Sequence, residues 1–139
     1  MGYRSEVAYV IKFDSDKTLN EFIALVMAMG GTKLAALKEC GIDRQAKEIQ
    51  FYADDVKWYD SYPDVQAHTW LYEFALERFP ENADYKFIRI GEDDTDIQIE
   101  CDGIGDYIET INVRRSIDVP FYDYDPVGDS LCVEEQNNG

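Results

Sequence analysis

Histidine, cysteine and basic residues are all scarce in this chain of 139 residues. The single histidine, His68, excludes metal sites built from several imidazoles. Three cysteines, Cys40, Cys101 and Cys132, are odd in number and widely spaced, with no CxxC. They read as free thiols of a reducing compartment, not as a disulfide framework or a zinc site. The longest apolar stretch, residues 22–29, is far short of the roughly 20 residues that cross a bilayer. The opening Met-Gly-Tyr-Arg-Ser has no apolar signal segment, and Glu6 stands where a myristoylation signal carries Ser or Thr.

Catalytic signatures are missing too. The chain contains no G-x-S-x-G, Walker A, H-E-x-x-H or G-x-G-x-x-G. Gly103-Ile104-Gly105 lacks the third glycine and the helix that would follow it. The acidic run Asp93-Asp94-Thr95-Asp96 lacks the mid-loop glycine and closing glutamate of an EF-hand. His68 sits early in an expected helix and reads as a packed or solvent-facing residue rather than a general base. The expectation is therefore a non-enzymatic protein with no cofactor and no metal.

Basic residues are the third scarcity, and acids take their place. Lys plus Arg number 13 against 29 Asp plus Glu, giving a net charge of −16. That is well beyond the magnitude of roughly 2–8 usual for a small soluble domain. Such charge disfavours bare nucleic acid and anionic lipid, which carry the same sign. It favours a basic protein surface. The excess is also uneven: residues 1–91 hold 15 acids and 11 bases, net −4, whereas residues 92–139 hold 14 acids and 2 bases, net −12. A hydrophobic share of 45% and an aromatic share of 14% exclude a disordered acidic chain.

Periodicity supplies the elements. Residues 6–13 (EVAYVIKF) read as a strand, central in a sheet. A T-x-x-E capping box at Thr18 and Glu21 predicts a helix with Leu19, Phe22, Ile23, Val26 and Met27 on one face, ended by Gly30-Gly31. Residues 33–40 suggest a shorter helix. Residues 48–53 alternate as a strand, continuing through a bulge at Asp54-Asp55 to Tyr59. A helix over 64–79 is expected to bury Ala67, Trp70, Leu71, Phe74 and Ala75, with Pro80 as its stop. Residues 85–90 and 97–101 form a hairpin with an acidic tip, and residues 107–113, extending toward 119, a last strand. This β-α-α-β-α-β-β-β order predicts an α+β domain over 1–119. Its single sheet is mixed or mostly antiparallel, with two main helices on one face. Residues 120–139 form an acidic, aromatic-containing tail.

The candidate partner-binding residues follow the charge. Glu92, Asp93, Asp94, Asp96, Glu100, Asp102 and Asp106 cluster on the hairpin and beyond it. A row of carboxylates can imitate duplex phosphates and fit a Lys/Arg-lined groove. The same acids also guard a sheet edge against aggregation. Tyr122, Asp123, Tyr124 and Asp125 interleave aromatic area with charge, a composition suited to an interface or to a strap across the chain's own sheet. The corner Trp58-Tyr59-Asp60-Ser61-Tyr62-Pro63-Asp64 is dense in aromatics, a composition that suits a recognition surface but reads chiefly as core edge plus a helix cap.

The opening Met1-Gly2-Tyr3-Arg4-Ser5-Glu6-Val7, followed by an apolar strand, resembles the start of small bacteriophage and prophage proteins. The segment Phe51-Tyr52-Ala53-Asp54-Asp55-Val56-Lys57-Trp58-Tyr59 is similar to them as well. In size and charge the chain resembles anti-CRISPR and anti-restriction inhibitors. The resemblance implies an inhibitor in the bacterial host cytoplasm, consistent with the free thiols, that docks on the basic surface of a host nucleic-acid-binding complex, with a monomer or dimer expected. The alternatives are a phage assembly protein that forms a homo-oligomer and an enzyme that uses paired carboxylates.

Overall fold

Strand β1 (Ser5–Phe13) runs through the middle of the molecule, and the burial of both its faces explains its near-continuous apolar sequence. The computed structural model describes residues 3–93, 95–102, 111–113 and 117–118. β1 pairs antiparallel with β3 (Glu48–Val56) on one side and β4 (Ala83–Ile90) on the other. β2 (Gly41–Asp43) extends the sheet beyond β3, and β5 (Ile97–Asp102) extends it beyond β4. The five-stranded sheet has the order β2-β3-β1-β4-β5, and every pairing is antiparallel. The α+β reading is correct. The short β2 adds a strand that its three residues are too few to announce.

Helices α1 (Asp16–Met29), α2 (Gly31–Lys38) and α3 (Pro63–Arg78) cover one face. There Val7, Tyr9, Ile11 and Phe13 pack with Leu19, Phe22, Leu37, Leu71 and Ala75. On the other face Ala8, Val10 and Ile88 pack under Ile111 and Ile117. Ile117 lies in a second, two-stranded sheet of β6 (Asn112–Val113) and β7 (Ile117–Asp118), and Ile111 directly precedes β6. Of the last strand expected over 107–113 and toward 119, residues 107–110, 114–116 and 119 lie outside the described residues, and the described part holds two short strands that pair with each other.

Two helices differ locally from the sequence reading, α1 in its cap and α3 in the face it buries. The cap of α1 is Ser15, one turn before the expected Thr18: its extended backbone (φ −154°) lets Oγ accept the Thr18 amide at 3.2 Å. Thr18 instead lies in the first turn, where its hydroxyl donates to Asp14 at 3.2 Å. Glu21 is exposed. Gly30 ends α1 and also precedes the first residue of α2, with φ of +63° at Gly30 and +62° at Gly31, a junction that residues with a β-carbon adopt reluctantly.

α3 turns a different face to the core. Its buried face is Val65, Ala67, His68, Leu71, Tyr72 and Ala75, so the face is turned toward His68 and Tyr72. Trp70 and Phe74 lie half-buried beside the core, stacked on each other with ring centroids 4.5 Å apart. Apolarity alone misjudges this face, because His68 and Tyr72 bury ring area while their polar atoms find partners.

The bulge at Asp54-Asp55 is present. Ser5 pairs with Val56 but Val7 with Ala53, which leaves one extra residue on β3, and Asp55 has φ of +57°. The strand ends at Val56, so Trp58 and Tyr59 lie in the corner that leads into α3.

The position of the α1 cap gives a direct test. Ser15→Ala is expected to cost about 1 kcal/mol of unfolding free energy, whereas Glu21→Ala stays within about 0.5 kcal/mol. Urea denaturation of both variants checks this. The reverse ranking would restore the cap to Thr18.

Candidate functional site: an acidic groove with an aromatic floor

Alternation along β4 and β5 builds one wall of the site. Phe87 faces the helices, and residues paired across two strands share a face. Glu100 pairs with Phe87 and Gln98 with Arg89, so Glu100, Gln98 and Arg89 all stand on the helix side. Ile97 and Ile99 point the opposite way and are 44% and 53% exposed. α3 and the corner before it supply the other wall. Between the walls lies an open groove of about 540 Å³, within the range of roughly 300–1,000 Å³ usual for ligand sites.

The floor of the groove is aromatic, formed by Tyr3, Trp58, Tyr59, Tyr72 and Phe87. Trp58 has its ring centroid 5.8 Å from that of Phe51 and 5.7 Å from that of His68, so it closes the core and lines the groove at once. The rim is charged. Asp60 and Glu73 come from the α3 side, and Asp96 and Glu100 from the hairpin, against one cation, Arg89.

Arg89 is already engaged. Its Nη2 and Nη1 donate to the two Asp96 carboxylate oxygens at 2.8 and 3.2 Å. Nε donates to Gln98 at 3.0 Å, and Nη1 also reaches Ser5 Oγ at 3.2 Å. Tyr3 adds its hydroxyl to Asp96 Oδ2 at 2.7 Å. The Arg89 hydrogen bonds, and after them that of Tyr3, hold the Asp96 carboxyl below its ordinary value of 3.8. Asp96 is thus an ionised strut of the hairpin rather than a proton donor. Gly91 permits the arrangement, because a β-carbon there would collide with Asp96 and with the Tyr3 ring.

The expected row of tip carboxylates is therefore divided. Asp96 and Glu100 turn to the groove, and Glu100 accepts from Gln98 at 2.6 Å. Glu92 accepts the Arg4 amide at 2.6 Å, on the side of the hairpin where Asp54 and Asp55 also lie. Asp93 accepts from the Thr95 amide and hydroxyl, both at 3.2 Å. Asp102 closes the β4–β5 ladder opposite Tyr85, and nothing is described of its side chain. Asp94, Asp106, Tyr122, Asp123, Tyr124 and Asp125 lie outside the described residues, as does the rest of the tail.

Asp60, Glu73 and Tyr3 carry no signal in the sequence that marks them for this site. Only the aromatic density of residues 58–62 points toward this place. Among the described residues, no group of three His, Cys, Asp or Glu side chains could hold a metal ion.

His68 is a core histidine with both nitrogens satisfied. Nδ1 lies 2.5 Å from the Tyr9 hydroxyl, and Nε2 lies 2.7 Å from Glu39 Oε1. With Tyr9 donating to Nδ1, the Nε2 proton points at the carboxylate. That bond keeps Glu39 below its usual value of 4.5. Nearby Cys40 is fully buried, and desolvation raises its thiol to about 12, so it stays neutral and unreactive.

The Arg89–Asp96 contact sets a pH expectation. A carboxylate whose folded value is lowered contributes stability that is present above its unfolded pKa and is lost as pH falls through the folded value. Side-chain carbon NMR of Asp96 should give a pKa below 3.8, and Arg89→Gln should bring it back up. A wild-type value at or above 3.8 contradicts the contact. No protein-family model, curated protein or solved structure matches this chain.

Proposed function

We propose that this chain is a non-enzymatic binding protein that presents carboxylates to a basic, nucleic-acid-binding surface of another protein and blocks it. The observation that carries the reading is the uneven charge: net −12 in residues 92–139 out of −16 overall. A surface with this excess steers basic partners and repels nucleic acid. The described geometry supports the reading by placing acids on both sides of the hairpin. Asp60, Glu73, Asp96 and Glu100 surround the groove, while Asp54, Asp55 and Glu92 stand around Arg4. The likeness of the chain's opening to phage proteins extends the proposal to a phage-encoded inhibitor of a host defence complex, acting in a bacterial cytoplasm.

Exposed Ile97 and Ile99 on β5 favour a second reading, a homo-oligomeric assembly protein. Light scattering separates the two, because a large homo-oligomer supports assembly and a monomer or dimer supports the inhibitor.

Affinity capture from a CRISPR-bearing bacterial lysate, at low and high salt, tests the main reading. The full chain should retain a nucleic-acid-binding protein at low salt and release it at high salt. The fourfold variant Glu92→Gln, Asp93→Asn, Asp94→Asn, Asp96→Asn should retain at least about tenfold less, since a salt-dependent complex weakens with every charge removed from it. A captured set indifferent to both salt and variant contradicts the proposal.

A further inference from the structure

We propose that the groove between α3 and β5 receives an arginine side chain of the basic partner, a deepening that rests on the reading above. Four rim carboxylates face one guanidinium, and that guanidinium is spent on Asp96, Gln98 and Ser5. Among the described residues, Asp60, Glu73 and Glu100 have no salt-bridge partner. An anion would meet repulsion here. A neutral apolar group would strip water from carboxylates and give nothing in return.

The aromatic lining favours a cation independently of the charge. Trp58 and Tyr59 are only half-buried, and ring faces attract cations, Trp most of all. A guanidinium both stacks on such rings and offers paired N–H groups to carboxylates, whereas an ammonium is a compact, strongly hydrated point charge. The combination of half-buried rings with carboxylates that lack a salt-bridge partner among the described residues therefore selects arginine. The volume of about 540 Å³ leaves room for the residues beside the arginine, so the occupant is a segment of basic peptide. The chain's own residues 119–139 are poor competitors, because they hold five acids and no base.

Titration of the ¹⁵N-labelled full chain with N-acetyl-arginine amide tests this, with the neutral N-acetyl-citrulline amide as a control of matching shape. The arginine probe should shift the Trp58 indole N–H and the amides of Tyr59, Glu73, Gln98 and Glu100. The citrulline probe should bind at least about tenfold more weakly. Glu73→Gln with Glu100→Gln should weaken the arginine probe about tenfold, while Glu77→Gln with Glu81→Gln, exposed acids that do not line the groove, leaves it unchanged. Retained spectral dispersion verifies that each variant folds.

Equal binding of the two probes overturns the proposal. So do shifts confined to Arg4, Asp54, Asp55 and Glu92, although that result leaves the acidic-surface reading intact. If neither the arginine probe nor a decapeptide of alternating arginine and serine shifts any resonance, both readings fail.

Discussion

The double pairing of β1 is the constraint on which the rest of the structure depends. Its backbone is bonded on both edges and its side chains are buried on both faces. Tyr9 sits at its centre between Phe51 and Phe87, the residues paired with it on either side. Its ring stacks on Phe51 at 5.1 Å, and its hydroxyl meets His68. That one side chain ties β3, α3 and, through His68 and Glu39, the end of α2. A strand so enclosed tolerates no shift in register, because a slip of one residue would move every buried side chain to the wrong face.

Fixing β1 also fixes the groove. β4 is registered on β1 and β5 on β4, so the side of the sheet that carries Glu100, Gln98 and Arg89 is decided at Tyr9. The helix side of the sheet then changes character along its length, from Tyr85 and Phe87 to Arg89. α3 covers the apolar part and leaves the polar end open. The groove arises where apolar burial gives way to charge. The Arg89–Asp96–Tyr3 contacts hold its far wall in place of a hydrophobic core.

The sheet is legible because its signals are local. Alternation over residues 85–90 and 97–101 gives the hairpin, and the apolar run of 6–13 gives a central strand. The bulge at Asp54-Asp55 is legible because two acids interrupt an otherwise apolar pattern. The α1 cap is easily misread because residues 14–21 hold two competing cap signals, and Ser15 takes the cap while Asp14 occupies the Thr18 hydroxyl. The acids are legible as a set but not as an arrangement. Which carboxylates share a face depends on strand pairing and on where α3 lies. Asp60 and Glu73, distant from the hairpin in sequence, join Asp96 and Glu100 only through tertiary contacts. Tyr3 reaches Asp93 and Asp96 across some ninety residues of chain, beyond any local pattern.

Among the described residues the fold divides the acidic charge of the hairpin. Part of it is consumed internally, as in Asp96, and part faces outward around a ring-lined groove. The most direct measurement is the salt dependence of affinity for a basic peptide, followed by Trp58 fluorescence from about 50 to about 300 mM sodium chloride. The account predicts a linear fall of log affinity with log salt, amounting to at least about tenfold across that range. Affinity that is independent of salt would contradict it.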